Sequence, residues 1–181
     1  MSRLLRALAA AASAVGAALL TLAAWPSLHR AADPGTATVV RVVDGDTLVA
    51  DLGAGNQTIR LIGIDTPESV APHRAVECYG HEASARLAAL VPPGTPVRLT
   101  RDIEPRDRYD RVLAYVERAE DGLFVNLAQV DAGFAASFPF PPNVAHRARF
   151  DDAERRAREA GLGLWSACGG NHVAVAPDAP P

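Results

Sequence analysis

The sequence predicts a mainly β fold with α additions: a five-stranded barrel with about three helices, preceded by an N-terminal hydrophobic helix. Three observations carry this expectation. Short runs rich in branched apolar residues are separated by strong turn signals, Asp44-Gly45 foremost. One helical stretch interrupts the strands after the third, and an uncharged apolar run leads the chain.

TATVVRVV and TLVADL flank Asp44-Gly45 and form the first hairpin. AGNQ makes the next turn, and TIRLIGI reads as the third strand. From Gly80 to Val91 the residues Ala83, Leu87, Leu90 and Val91 recur near helical spacing, and Pro92-Pro93-Gly94 ends that helix. VRLTRDI and RVLAYVERA are two further strands, the latter turning at Glu120-Asp121-Gly122. VNLAQVDAGFA has the pattern of a short amphipathic helix. Asn143 is the expected cap of a last helix running through Ala160 and closed by Gly161. On it, Asp151–Arg155, Asp152–Arg156 and Glu154–Arg158 stand as acid-to-base pairs at i,i+4, the mark of a solvated, self-paired face. Five strands with a helix after the third is the order of an OB-fold barrel, with small SH3-like barrels as the competing architecture.

The first 25 residues place Arg3 and Arg6 ahead of an uncharged run from Ala7 to Trp25. That run is long for a signal-peptide core and marginal for a membrane span, so residues 1–35 are expected to be a signal peptide or membrane anchor plus linker. The domain then covers 36–170, with a flexible tail, NHVAVAPDAPP, from 171 to 181. The expected location is secreted, or anchored to the outer face of the cytoplasmic membrane. All 18 basic residues are arginine. Without Arg3, Arg6 and Arg30, 15 of them face 21 acids, a balance of −6 that speaks against nonspecific, salt-driven clamping of polyanions. Any nucleic-acid role must rest on a local site or a bound cation. In an exported chain, Cys78 and Cys168 are expected to pair as a disulfide; without a histidine cluster they make a poor zinc site. His73, His81 and His146 sit in polar surroundings and read as surface residues.

Three clusters of charge converge on this barrel. Asp46 opens the second strand after the hairpin; Arg60, Asp65, Thr66 and Glu68 bracket the third; Asp107-Arg108-Tyr109-Asp110-Arg111 precedes the fifth. A hard divalent cation such as Ca²⁺ takes carboxylates, carbonyls and water, and adjacent strands can bring Asp46 and Asp65 together. Cleaving a phosphodiester needs a group to direct water and cations to absorb transition-state charge; Glu68 with Arg60 and Arg111 completes that inventory. One parity conflict stands against it. Arg60 and Asp65 are an odd number apart and belong on opposite faces of an unbroken strand, unless Gly63 marks a bulge or bend.

The segments VVDGDT, RLIGIDTPE, ECYGHEAS, DRYDRVLAYV, FPFPPN and GLW stand in the order and near the spacing of the staphylococcal nuclease family, which the chain resembles from Thr36 to Trp165. The resemblance implies an OB-fold and Ca²⁺-dependent hydrolysis of DNA and RNA leaving 3′-phosphate and 5′-hydroxyl ends. Carried over, Asp46, Asp65 and the carbonyl of Thr66 are metal ligands. Glu68 is the water-activating carboxylate, and Arg60 and Arg111 are the phosphate-binding pair. Arg108, Tyr109, Phe138 and Phe140 fall at substrate-contacting positions. Phe138 and Phe140 replace tyrosines, which keeps stacking and drops a phenolic donor. Asp110 replaces the usual glycine, and Asp tolerates left-handed backbone. DNA and RNA are the expected partners, with the membrane a further one through the N-terminal segment; no protein partner is evident, and a monomer is expected. The alternative function is a non-catalytic OB-fold module binding nucleic acid or another polyanion. A third is an envelope-anchored interaction domain, to which only the acidic balance points.

Overall fold

A computed structural model describes residues 35–69 and 76–175. The apolar leader, His73 and residues 176–181 lie outside the described residues.

Five strands close into a barrel: β1 (Thr36–Asp44), β2 (Thr47–Asp51), β3 (Asn56–Leu61), β5 (Pro96–Thr100) and β6 (Val112–Arg118), in the order β1-β2-β3-β6-β5. Neighbours are antiparallel except β3 and β6, which run parallel with Ile59 opposite Val112 and Leu61 opposite Ala114. Two register shifts in β1, between Val39 and Arg41 and between Val42 and Asp44, bend the strand enough for closure. This is the OB-like barrel expected from the element order. Its interior is filled by Val39, Leu48, Ile59, Leu61, Val97 and Val116, each 1% exposed or less. Removing any one of the larger ones to Cβ forfeits about 2–5 kcal/mol in such a setting.

Helix α1 (Gly80–Leu90) packs Ala83, Leu87 and Leu90 inward, and α2 (Val125–Asp131) lies between α1, β6 and α3 (Arg147–Glu159). A four-residue α4 (Leu164–Ala167) follows, so the described residues hold four helices rather than three. None of them is long and apolar enough to cross a membrane.

Beyond the extra helix, the structure departs from the sequence reading at four places. The third strand does not run through TIRLIGI. It ends at Leu61, and Gly63–Asp65 forms a separate β4 that pairs antiparallel with β7 (Ala136–Phe138) outside the barrel. Asn143 does not cap the last helix; His146 occupies that position, without a side-chain cap. The Asn143 amide instead accepts from the Glu104 N–H (2.8 Å) and donates to the Glu104 carbonyl (2.9 Å), which stitches the loop after β7 to the loop after β5. Of the three helical pairs, Asp152–Arg156 and Glu154–Arg158 form, whereas Asp151 takes Arg147 and Arg155 takes Asp152 and Glu159. Asp151 is diverted because Ser137 Oγ also donates to it from β7 (2.6 Å). His146 is not a solvated surface residue either; its ring meets Tyr115 edge-on at 4.4 Å in a cluster with Phe124 and Phe150.

Gly63 has φ +79, and a Cβ there would sit 2.4 Å from Cε2 of Phe150, itself 1% exposed. The backbone therefore reverses its phase where no side chain fits. Gly63→Ala is expected to cost roughly 2–4 kcal/mol, from left-handed strain plus overpacking, read as a lowered urea midpoint at unchanged slope.

Candidate functional site

The turn between β1 and β2 places Asp46. Its N–H donates to Asp44 Oδ1 (3.1 Å), and its carbonyl accepts from the Leu61 N–H (2.8 Å) at the end of β3. Gly45 permits a close approach that a Cβ would forbid, since that carbon would lie 2.7 Å from Thr66 Oγ1 and 2.8 Å from Ala83 Cβ. The Gln129 amide of α2, fully buried, donates to the Gly45 carbonyl (2.8 Å) and to the Ala83 carbonyl (3.2 Å). One turn earlier on the same helix, Asn126 donates to the Ile62 carbonyl (2.9 Å) and accepts from the Val116 N–H (2.9 Å). Helix α2 thus holds both the turn that carries Asp46 and the joint that leads to Asp65.

With β3 broken at that joint, the parity conflict disappears. Arg60 Nη2 reaches Asp46 Oδ2 (2.9 Å) and Asp65 Oδ1 (3.0 Å), while Nη1 donates to the carbonyls of Leu61 (2.6 Å) and Ile64 (3.1 Å). Asp46, 6% exposed, also accepts from Thr47 Oγ1 (3.0 Å) and from the Thr66 N–H (3.1 Å). Asp46, Asp65, Thr66 and Arg60 are therefore brought together as the sequence reading required. Glu68 follows three residues after Asp65. Its N–H donates to Glu77 Oε2 (2.9 Å), and its own Oε1 accepts from the Ser69 N–H (3.1 Å).

Negative charge is in excess here. Burial first, then the Asp46 carboxylate, pushes Asp44 up to about 7. The same two causes raise Asp65, against the pull of Arg60 and His172. Among the described residues no three His, Cys, Asp or Glu side chains form a ready metal cage. A cation at this place would rest on the carboxylates of Asp46 and Asp65, with backbone carbonyls and water completing its shell. All of these are hard oxygen donors of the kind Ca²⁺ takes, and a divalent cation offsets the excess charge.

On its other side Arg60 lines a groove of about 550 Å³ shared with Arg108, Tyr109, Arg111, Phe138 and Phe140. Asp107 shapes the loop before β6: Oδ1 accepts from the N–H groups of Tyr109 (2.9 Å) and Arg111 (3.0 Å), and Oδ2 from Arg111 Nε (2.7 Å). Burial alone would raise Asp107, but these bonds hold it below the usual carboxylate range. Asp110 takes φ +62 in place of a glycine, with Arg106 donating to its carbonyl (2.7 Å). Tyr109 is 65% exposed, with the Arg108 guanidinium 4.7 Å from its ring centroid. Phe138 and Phe140 lie near-parallel, centroids 6.2 Å apart, on the solvent side of the groove. Register places Phe138 opposite Gly63, so the pairing of β4 with β7 sets these rings beside the strand that carries Asp65. Glu68 is not part of the groove lining.

Three contributors escaped the sequence reading. Gln129 and Asn126 looked like the polar side of an amphipathic helix, and only their full burial reveals them. His172 stood in a stretch without periodicity. Its Nε2 lies 2.6 Å from Asp65 Oδ2 and its Nδ1 2.7 Å from Glu77 Oε2. Burial would lower its pKa, but the two carboxylates outweigh that and raise it. Cys78 and Cys168 form a disulfide with Cα atoms 6.0 Å apart, joining the start of α1 to the end of α4.

Fold and site together define an OB-like barrel with a carboxylate cluster at one flank of a cationic, aromatic groove. A family model described as staphylococcal nuclease homologue matches residues 58–167. The chain is 38% identical over 127 residues to a thermonuclease of Staphylococcus intermedius, covering 70% of this chain and 74% of that protein. It is 36% identical over 135 residues to a thermonuclease of Staphylococcus hyicus, covering 75% and 78%. With endonuclease YncB of Bacillus subtilis the identity is 34% over 134 residues, covering 73% and 62%. The chain belongs to the staphylococcal nuclease homologue family.

Replacing Gln129 by Leu leaves the buried Gly45 carbonyl without its donor. The expected loss is about 1–3 kcal/mol of stability, measurable by urea denaturation.

Proposed function

We propose that this chain is a calcium-dependent nuclease that hydrolyses phosphodiester bonds of DNA and RNA, leaving 3′-phosphate and 5′-hydroxyl ends. The observation that carries the reading is the placement of Arg60, which touches both Asp46 and Asp65 and also lines a groove with Arg111 and exposed aromatic rings. The names of the relatives, thermonucleases and an endonuclease, support the same activity.

Asp46, Asp65 and the Thr66 carbonyl would hold Ca²⁺, which when bound supplies positive charge to a phosphate oxygen and helps place a water. In the cleavage, Glu68 orients that water and takes its proton as the oxygen bonds to phosphorus. The bond from phosphorus to the 5′-oxygen breaks, the leaving oxygen takes a proton from solvent and ends as a hydroxyl, and Glu68 returns its own proton to solvent. Arg60 and Arg111 offset the negative charge that gathers on the phosphoryl oxygens. Tyr109, Phe138 and Phe140 offer faces on which bases stack, and Arg108 adds a backbone contact. The disulfide and the cationic, apolar leader support a secreted protein or one anchored to the outer face of the cytoplasmic membrane.

Digestion of single-stranded DNA should proceed with calcium and stop with chelator. Glu68→Gln should lower kcat by about 10²–10⁴-fold while the melting temperature holds; near-wild-type turnover in calcium would remove Glu68 from its role.

The acidic balance adds a second expectation. If three arginines, Arg60, Arg108 and Arg111, carry the phosphate contacts, the logarithm of the binding constant for single strands should fall against the logarithm of salt with a slope of about −2. Titration of the Glu68→Gln chain with a labelled oligonucleotide reads this directly. A slope of about −5 or steeper would mean a much wider cationic surface.

A further inference from the structure

The chain end after α4 is fastened across the site at two points. The disulfide holds Cys168 to Cys78. Six residues on, Ala174 forms an antiparallel bridge with Glu77, and the Val173 carbonyl accepts from the Cys78 N–H (2.8 Å). Between these anchors His172 adopts φ +58, a left-handed conformation that is uncommon outside glycine but that histidine tolerates better than most residues. The result of that turn is a ring inserted between two carboxylates, Asp65 Oδ2 at 2.6 Å and Glu77 Oε2 at 2.7 Å. The same Glu77 oxygen accepts from the Glu68 N–H (2.9 Å), and the Glu77 N–H returns a bond to the Glu68 carbonyl (2.8 Å).

We infer that His172 is a positioning residue for this site. It fixes the rotation of the Asp65 carboxylate and, through Glu77, the backbone that carries Glu68, and it can do so only while the Cys78–Cys168 bond holds the strap in place. The inference rests on the metal reading of Asp65 given above. The division of oxygens on Asp65 separates a positioner from a plug. Oδ1 is the oxygen that shares Arg60 Nη2 with Asp46 and so faces the other carboxylate, whereas His172 takes Oδ2. The ring thus grips the carboxylate on the oxygen turned away from Asp46, and the inward Oδ1, which accepts from Arg60 Nη2, is not covered by the imidazole. Partners of this kind orient ligating carboxylates in metal sites, and their loss weakens metal binding by about 10–100-fold. His172 itself touches neither groove nor cation position, so its effect must run through Asp65 and Glu77.

The test is calcium titration calorimetry on the full oxidised chain, alongside kcat and KM on a short single-stranded oligonucleotide and thermal melting in chelator. His172→Ala should weaken calcium binding by about 10–100-fold and lower kcat, with KM at saturating calcium changed less than about threefold and folding retained. His172→Gln, whose amide N–H can reach Asp65, should recover part of the calcium affinity; a merely structural role predicts no such rescue. Cys78→Ser/Cys168→Ser should reproduce the loss seen with His172→Ala, and adding His172→Ala to it should cost nothing more. Wild-type calcium affinity and kcat in His172→Ala would overturn the inference. So would tighter calcium binding in that variant, which would make the strap a plug. Additive losses for the histidine and the cysteines would overturn the dependence on the disulfide. If the wild-type chain takes up no calcium at all, the metal reading of the site fails first and this inference fails with it.

Discussion

Arg60 Nη2 lies 2.9 Å from Asp46 Oδ2 and 3.0 Å from Asp65 Oδ1, and much of the surrounding architecture keeps that three-way contact in place. Two oxygens on one nitrogen are at most about 6 Å apart. At an effective dielectric of 20 two full charges at that separation repel by about 3 kcal/mol, before the loss of hydration is counted. A pair of carboxylates does not adopt this arrangement unaided. The guanidinium offsets the repulsion, and rigid elements hold the geometry. Gly45 lets the β1–β2 turn press on Thr66, and Gly63 lets the chain reverse beneath Phe150. Gln129 and Asn126 bind the carbonyls on either side. Burial first, and then the Asp46 carboxylate, raise Asp44 and Asp65, and a divalent cation would relieve the second of these causes.

The barrel was legible because its information is local. Asp44-Gly45, the branched apolar runs and Pro92-Pro93-Gly94 each act within a few residues, and β1, β2, α1 and β6 formed within a residue or two of their expected spans, whereas β3, β5, α2 and α3 each have one end three or four residues from its expected place. The carboxylates, arginines and aromatic residues were legible as motifs in register. What stayed hidden depends on contacts between distant parts of the chain. Nothing near Gln129 distinguishes a solvated amide from one that bonds a turn 84 residues earlier. His172 meets Asp65 across 107 positions, by way of a disulfide that closes a loop of 90. Gly63 lies between these cases. The parity of Arg60 and Asp65 demanded a break in the strand, and a glycine at the right place supplied one, but the second sheet that β4 joins could not be read from the strand itself.

The groove reconciles an acidic chain with a polyanionic substrate. Favourable charge is concentrated where Arg60, Arg108 and Arg111 meet Tyr109, and much of the remaining arginine is consumed in pairs. Arg156 takes Asp131 and Asp152, Arg155 takes Asp152 and Glu159, and Arg158 takes Glu154. Those exposed pairs are screened by solvent and present little net field. On the proposed reading, recognition rests on a handful of planar guanidiniums and stacked rings rather than on overall charge.

The strap shows why the Asp65 side needs help from outside the barrel. Asp46 is anchored by a hairpin inside a closed sheet, whereas Asp65 ends a three-residue strand paired with three residues of β7. A strand that short cannot by itself hold a carboxylate against a neighbour of like charge. The disulfide closes its 90-residue loop at a chain-entropy gain of roughly 4–5 kcal/mol, which is large against the marginal stability of a domain this size. It acts at the residue next to Glu77, where the Glu68 backbone and the His172 ring already meet. The covalent bond therefore stabilises the part of the site that secondary structure supports least, and an oxidising compartment is where such a solution persists.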